Sequence, residues 1–252
     1  MSVRPGVRQA KIFDFVTQRG EASVEVLARK FDASPETIRR DLTVLADAGQ
    51  VRKIHGGARA ATSHGEGVFD SRMRHNALAK RLIAEKVVSL VQPHQTLFMD
   101  TGSTTLICAE AMAKIKNLTI ITNSTRIAAT FAEGSGGSSV YLLGGLYRAD
   151  NAQTVGSRAI CEIGNYRADN AIITIAALDS RGASDFSNQE AMVARAMLQA
   201  SAKTTVLADA TKFNRSSSFN VCGLHDIDTL VTDKKPDEAL SIALLDAEVD
   251  VQ

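Results

Sequence analysis

The sequence predicts an α/β protein in two parts: a small N-terminal winged helix-turn-helix domain, then a larger Rossmann-like domain on a mostly parallel sheet. Three observations carry that expectation. Residues 34–58 hold a capped helix with a basic face, followed by an alternating run that ends in glycines. Residues 60–67, AATSHGEG, lose apolar periodicity and gain small and polar residues, as linkers do. Beyond Pro93, short apolar runs alternate with helical stretches, the pattern of strand-helix repeats. The expected limits are 1–59 for the first domain, 60–69 for the linker and 70–252 for the second domain.

In the first part, Ile12, Phe15 and Val16 fall on one face of a helix over residues 8–19 that stops at Gly20. Ser23 caps a second helix whose Val26, Leu27 and Phe31 point inward. Asp32-Ala33 makes a turn into a third helix, Pro35 to Ala48, with Ser34 as N-cap and Gly49 as stop. Its Ile38, Leu42 and Leu45 form one apolar stripe. Glu36, Thr37, Arg39, Arg40 and Thr43 occupy the opposite side, where a recognition helix keeps its base-reading and phosphate-holding groups. Gln50 to Ile54, closed by His55-Gly56-Gly57, reads as a two-stranded wing carrying Arg52 and Lys53. An isolated Arg39-Arg40 pair would be a solvated helix face; cap, stripe, basic face and wing together point to double-stranded DNA.

Charge agrees with that division. Residues 1–60 hold 11 Lys or Arg against 7 Asp or Glu, a balance of +4, which leaves 18 against 21, or −3, for the remainder. With 44% hydrophobic residues in 252, the chain can bury a sizeable core. There is no apolar run long enough for a membrane span and no signal-peptide pattern at the start, so a cytoplasmic protein is expected. Cys108, Cys161 and Cys222 are odd in number and far apart, which disfavours disulfides; all three are expected to be buried small hydrophobes. The five histidines show no metal-binding spacing, and neither a metal nor a cofactor is expected.

In the second part, residues 70–91 regain a helical pattern with Leu78, Leu82, Ile83 and Val87. Strands are expected over 96–99, 118–122, 140–143, 171–175, 205–208 and 229–231, and helices over 105–114, 124–132, 157–163, 189–200 and 237–244. Ligands of such sheets bind past the carboxyl ends of strands. There the chain places Asp100-Thr101-Gly102-Ser103-Thr104-Thr105, Asn123, Gly144-Gly145 with Arg148, and Asp209 with Lys212; Asp185 and Glu190 sit at the start of a helix. Hydroxyls and backbone donors from Gly102 to Thr105 suit a phosphate or another compact anion. Asp100, Asp185, Glu190 and Asp209 could accept from sugar hydroxyls, with Arg148 or Lys212 holding negative charge. Each fragment has a plainer reading: a turn and cap for the Gly-Ser-Thr loop, a turn for Gly144-Gly145, a surface ion pair for Asp209 and Lys212. Their joint placement at strand ends favours a pocket.

Thr37-Ile38-Arg39-Arg40-Asp41-Leu42, Arg52 and His55-Gly56-Gly57-Ala58 resemble the helix-turn-helix and wing signature of the DeoR family of bacterial transcription regulators. Asp100 to Thr105, Thr122-Asn123, Gly144-Gly145, Arg148, Gly156, Glu190, Asp209, Lys212-Phe213 and Thr232-Asp233 are similar to landmarks of that family's sensor domain. The resemblance implies a regulator, usually a repressor, that binds operator DNA as a homodimer or homotetramer and is released by a phosphorylated sugar or sugar alcohol. It also implies a sensor fold shared with ribose-5-phosphate isomerase. The chain departs from the family at Thr174 to Asp179, where relatives often have glycines, and at Gly182-Ala183-Ser184-Asp185. An unphosphorylated or sulfonated sugar therefore stays open as effector. Two rival readings are a sugar-phosphate isomerase using Asp209 and Lys212, and a sequence-independent DNA binder.

Overall fold

The computed structural model describes residues 5–19, 21–47, 51–60 and 69–252. The chain divides into two compact units, Met1–Arg72 and Met73–Gln252, each with its own core.

The first unit contains α1 (Pro5–Arg19), β1 (Glu21–Ser23), α2 (Val24–Phe31), α3 (Pro35–Asp47), β2 (Val51–Ile54) and β3 (Gly57–Ala60). Ile12, Val16, Leu27, Ile38, Leu42 and Leu45 are all buried in one cluster, with Phe15 and Phe31 packed against it; in α2 it is Val24 at the first turn, not the expected Val26, that joins this core. Ser23 caps α2 through the Val26 amide at 3.3 Å, and Asp32 turns the chain at φ 47°. Ser34 caps α3 through the Thr37 amide at 3.2 Å. The expected ends at Gly20, Ala48, Gly49 and Gln50 lie outside the described residues.

The wing differs from its expected form. It has three strands in the order β1-β3-β2, because Glu21 to Ser23 pair with Arg59 to Gly57. Three residues show no usable alternation, and this pairing spans most of the unit. Gly57 lies under β1, where a Cβ would sit 2.3 Å from the Ala22 carbonyl oxygen. Gly56, at φ +73°, makes the tip between β2 and β3. Strand β3 takes in Ala60, where a linker was expected to begin; residues 61–68 of that stretch lie outside the described residues.

A second feature fastens α1 to α3. Asp41 is buried on α3 and accepts from Arg8 Nε at 2.6 Å and from the Gln9 side-chain amide at 2.9 Å.

The expected single helix over 70–91 is two helices, α4 (Phe69–Arg74) and α5 (Ala77–Leu90). The break falls at Asn76, whose φ of 52° is left-handed and ends an α-helical run. Apolar periodicity passes across a two-residue break, His75-Asn76, without recording it.

The second unit is built on a seven-stranded parallel sheet. In sheet order its strands are β15 (Asp250–Val251), β14 (Thr229–Val231), β12 (Thr204–Leu207), β9 (Asn170–Thr174), β4 (Thr96–Met99), β5 (Thr119–Thr122) and β6 (Ser139–Leu142). Every neighbouring pair is parallel. The central strands are apolar on both faces: Leu97, Phe98, Met99, Ile120, Ile172, Ile173 and Val206 are fully buried. Helices α6 (Ser103–Met112), α7 (Thr125–Glu133), α8 (Ser157–Ile163), α9 (Asn188–Gln199) and α10 (Glu238–Asp246) connect them.

Two smaller pieces were not expected. One is the hairpin β7 (Leu146–Arg148) and β8 (Gln153–Val155); the other is an antiparallel sheet of β10 (Ala177–Asp179), β11 (Gly182–Asp185) and β13 (Phe219–Cys222). The Thr174 to Asp179 stretch thus enters a strand, with Ile175, Ala176, Ala177 and Leu178 buried in the core. Cys108 and Cys222 are buried as expected, and burial pushes each thiol up to about 12. Cys161 is exposed on α8, contrary to expectation, because α8 turns Ala159 and Ile163 inward instead.

Candidate nucleic-acid interface and ligand pocket

In the first unit the inward stripe of α3 fixes what faces out. Glu36, Arg39 and Arg40 are exposed, with Arg39 and Arg40 held loosely by Glu36 at 3.5 and 3.8 Å. Such exposed pairs contribute little to stability and leave the guanidinium groups able to reach a phosphate or a base edge. Ser34 and Thr37 are used at the cap, sharing a 2.8 Å hydrogen bond between their hydroxyls. Thr43 donates to the Arg39 carbonyl at 2.9 Å and accepts from Lys53 Nζ at 3.1 Å, which ties the wing to the middle of α3. Arg52, Lys53, His55 and Gly56 are exposed along β2 and its turn. Gly57 is not: it is buried against β1, so its part in the wing is to let two strands approach.

In the second unit the sheet order reverses direction between β4 and β9, the place past whose carboxyl ends ligands of such sheets bind. Asp100 follows β4 and is buried; both of its oxygens accept from the Thr174 amide at the end of β9, at 3.1 Å. Burial pushes the Asp100 carboxyl well above the ordinary carboxylate range. The Thr174 amide opposes that shift, while the charges of Asp185 and Glu190 add to it.

Gly102 precedes α6, where a Cβ would meet the Thr174 hydroxyl at 2.3 Å, so glycine is what lets the loop lie against β9. It gives α6 no side-chain cap, and the first-turn amides of Ser103, Thr104 and Thr105 point out of the helix end. Lys80, on α5, is 5% exposed and donates from Nζ to Ser103 Oγ at 2.8 Å. An ammonium group and a helix N-terminus thus converge on one spot, an electrostatic arrangement for an anion.

A chain of hydrogen bonds links several of the expected site residues. Thr101 donates to Asn123 Oδ1 at 3.2 Å, Asn123 donates to Gln153 Oε1 at 3.3 Å, and Gln153 donates to Glu190 Oε1 at 2.6 Å. Asp185 receives the Ser187 amide at 2.9 Å in the turn before α9. Asp209, past β12, is buried and accepts on Oδ1 from the Thr211 amide at 3.0 Å and from Asn76 at 3.2 Å. Lys212 follows in a short 3-10 turn and is partly exposed.

Two expected site groups have local partners. The Gly144 amide donates to Glu162 Oε2 at 2.8 Å, and Gly145, at φ 142°, passes within a Cβ's reach of the Val155 carbonyl. Arg148 turns its guanidinium to Asp150 at 3.3 Å. Sequence reasoning missed Lys80, Asn76 and Gln153. For Lys80 a signal existed: it lies three, four and seven residues before Ile83, Ala84 and Val87, the buried face of α5, whereas Leu78 is 72% exposed. Gln153 carries no such mark. Among the described residues no group of three or more His, Cys, Asp or Glu is placed to hold a metal ion, and no helix is long and apolar enough to cross a membrane.

Comparison with known proteins assigns both units. The DeoR-like helix-turn-helix domain matches residues 8–64, and the DeoR C-terminal sensor domain matches residues 75–234. The chain belongs to the DeoR family. It is similar to the glycerol-3-phosphate regulon repressor of Haemophilus influenzae, 32% identical over 93% of this chain and 92% of that protein. It is also similar to the transcriptional repressor AccR of Agrobacterium fabrum, 34% identical over 90% of this chain and 88% of that protein. Among solved structures, ribose 5-phosphate isomerase A of Methanocaldococcus jannaschii is similar at 14% identity over 55% of each chain, with a TM-score of 0.41. As a DeoR protein, the chain joins a helix-turn-helix unit to a sensor unit, and the two sites above fall one in each.

Proposed function

We propose that this DeoR protein is a cytoplasmic transcriptional repressor of a carbohydrate operon, not an enzyme, and that a phosphorylated sugar or sugar alcohol releases it from operator DNA. The observation that carries the effector class is the uncapped N-terminus of α6 beside the buried Lys80 ammonium. The Asp100, Asp185, Glu190, Asn123 and Asp209 side chains would take the hydroxyls of the same ligand.

On the DNA side, Arg39 and Arg40 supply phosphate and guanine contacts, Glu36 and Thr37 the remaining base contacts, and Arg52, Lys53 and His55 the wing contacts. One recognition helix reads one half-site, so useful specificity requires a homodimer or homotetramer. Release follows if the ligand binds better to a subunit arrangement whose two helices no longer match the operator.

The test is thermal unfolding against matched sugars, their phosphates and their sulfonates, followed by operator binding with each hit. Stabilisation and operator release by phosphorylated compounds alone is the expected result. Stabilisation by the unphosphorylated or sulfonated members alone would replace the effector class. Turnover of a pentose phosphate would overturn the reading as a non-enzyme.

A further inference from the structure

We propose that Asn76 is the positioning residue through which an occupied pocket acts on the segment leading to the DNA-binding unit. The inference rests on the pocket reading above. Asn76 stands between α4 and α5, and the first four residues of α4 belong to the first unit while α5 lies wholly in the second. Whatever holds Asn76 therefore holds the turn from which α5 starts.

Three side chains fasten α5 to the ends of the sheet. Asn76 donates to Asp209 Oδ1 at 3.2 Å, Lys80 donates to Ser103 Oγ at 2.8 Å, and Lys86 donates to the Thr232 carbonyl at 2.7 Å. The two nearest that turn end on pocket residues; the third does not. A bound anion at the α6 N-terminus draws Lys80 away from Ser103 toward itself, because a full charge outcompetes a neutral hydroxyl.

Asp209 is the second point of contact. Its Oδ1 accepts from Asn76, from the Thr211 amide and from the Thr211 hydroxyl, whereas Oδ2 takes no donor from the described residues. A ligand hydroxyl donating to Oδ2 withdraws charge from Oδ1 and weakens the bonds already there. Asn76 makes the longest of the three, so it yields first. Asparagine tolerates the left-handed conformation with little strain, so no backbone stress holds Asn76 in place once that bond is gone. The amide also reaches the Thr211 hydroxyl at 3.5 Å, a longer contact, so ligand binding and loosening of this turn are linked chiefly through the Asn76–Asp209 bond.

Hydrogen exchange of the full chain, with and without inorganic phosphate as the probe, tests this. In the natural sequence phosphate should slow exchange at residues 103–106 and speed it at 73–77. Asn76→Gly suits the positive φ and lacks the amide; it should keep the protection at 103–106 while 73–77 exchange about tenfold faster in both states, as loss of a hydrogen bond to a carboxylate implies. Asn76→Asp, which sets a like charge against Asp209, should show the fast 73–77 pattern without phosphate. Exchange at 83–90, around Lys86, should be the same in all three proteins, which separates loosening of the turn from unfolding of α5. Protection at 103–106 with no change at 73–77, or a natural-type response in Asn76→Gly, would overturn the proposal. Absence of protection at 103–106 would overturn the anion site and this inference with it.

Discussion

Replacing Arg8 by Met tests how the small DNA-binding unit is held together. The substitution keeps the length and apolar stem of the side chain and removes only the guanidinium. Asp41 is then a buried carboxylate on α3 that keeps, among the described residues, the Gln9 amide. Removing one member of a buried ion pair costs about 3–5 kcal/mol, and the lower end applies because Gln9 stays. A unit of 72 residues has a total stability of about 4–11 kcal/mol. A loss of about 3 kcal/mol should lower its melting temperature by about 15 °C. Calorimetry of the full chain should therefore show one transition moving down and the other, from the second unit, staying in place. Operator binding at low temperature should persist, because the exposed face of α3 is untouched. The double change Arg8→Met with Asp41→Leu removes both charges and should recover most of the loss. A single-variant loss below about 1 kcal/mol, or a double variant no better than the single, would refute the claim that this pair locks α1 to α3.

Arg40→Ala, at a site where the side chain is exposed, should weaken operator binding about tenfold or more and leave ligand-induced stabilisation of the second unit unchanged; equal loss of both would sink the division of labour. Gly57→Ala sets a methyl 2.3 Å from the Ala22 carbonyl and should destabilise the first unit by about 1–3 kcal/mol in urea unfolding. Asp100→Asn concerns pH. The folded pKa is raised, so the stability from this group is complete below the unfolded value of 3.8 and is lost as pH rises toward the folded one. The melting temperature of the Asn variant should gain on that of the natural protein from pH 4 upward, and parallel curves would contradict the shift. A thiol reagent should modify the exposed Cys161 of the native protein and leave Cys108 and Cys222 intact until unfolding, as mass spectrometry would show.

The readable parts of the sequence were those with local causes. The cap at Ser34, the stripe of Ile38, Leu42 and Leu45, and the apolar runs of β4, β5, β9, β12 and β14 each follow from neighbours a few residues away. The unread parts have distant ones. β1 exists because Arg59 and Ala58 lie beside it, and β11 because β10 and β13 flank it. Lys80 was hidden by its chemistry: a lysine on a helix is ordinarily solvated, and only its spacing from Ile83 and Val87 placed it inside. Gln153 joins Asn123 to Glu190 across segments 30 and 37 residues away, a relation no periodicity encodes. Gly144 and Gly145 stand at a strand end in the sequence with a turn as their plainer reading, and only their neighbours in space, Glu162 and Val155, show what they pack against.

The order of strands also sets an order of events during synthesis. β4 pairs with β5 and β5 with β6, so residues 96–142 can assemble one wing of the sheet as they emerge. The other edge of β4 must wait for β9, roughly 70 residues later, which at about 5–20 residues per second is a delay of several seconds on the ribosome. Through that interval the apolar edge beside Leu97, Phe98 and Met99 is uncovered, and the hydrogen bonds between Asp100 and the Thr174 amide do not yet exist. A nascent chain halted before residue 170 should therefore recruit chaperones and bind no ligand, and both properties should reverse together once β9 docks.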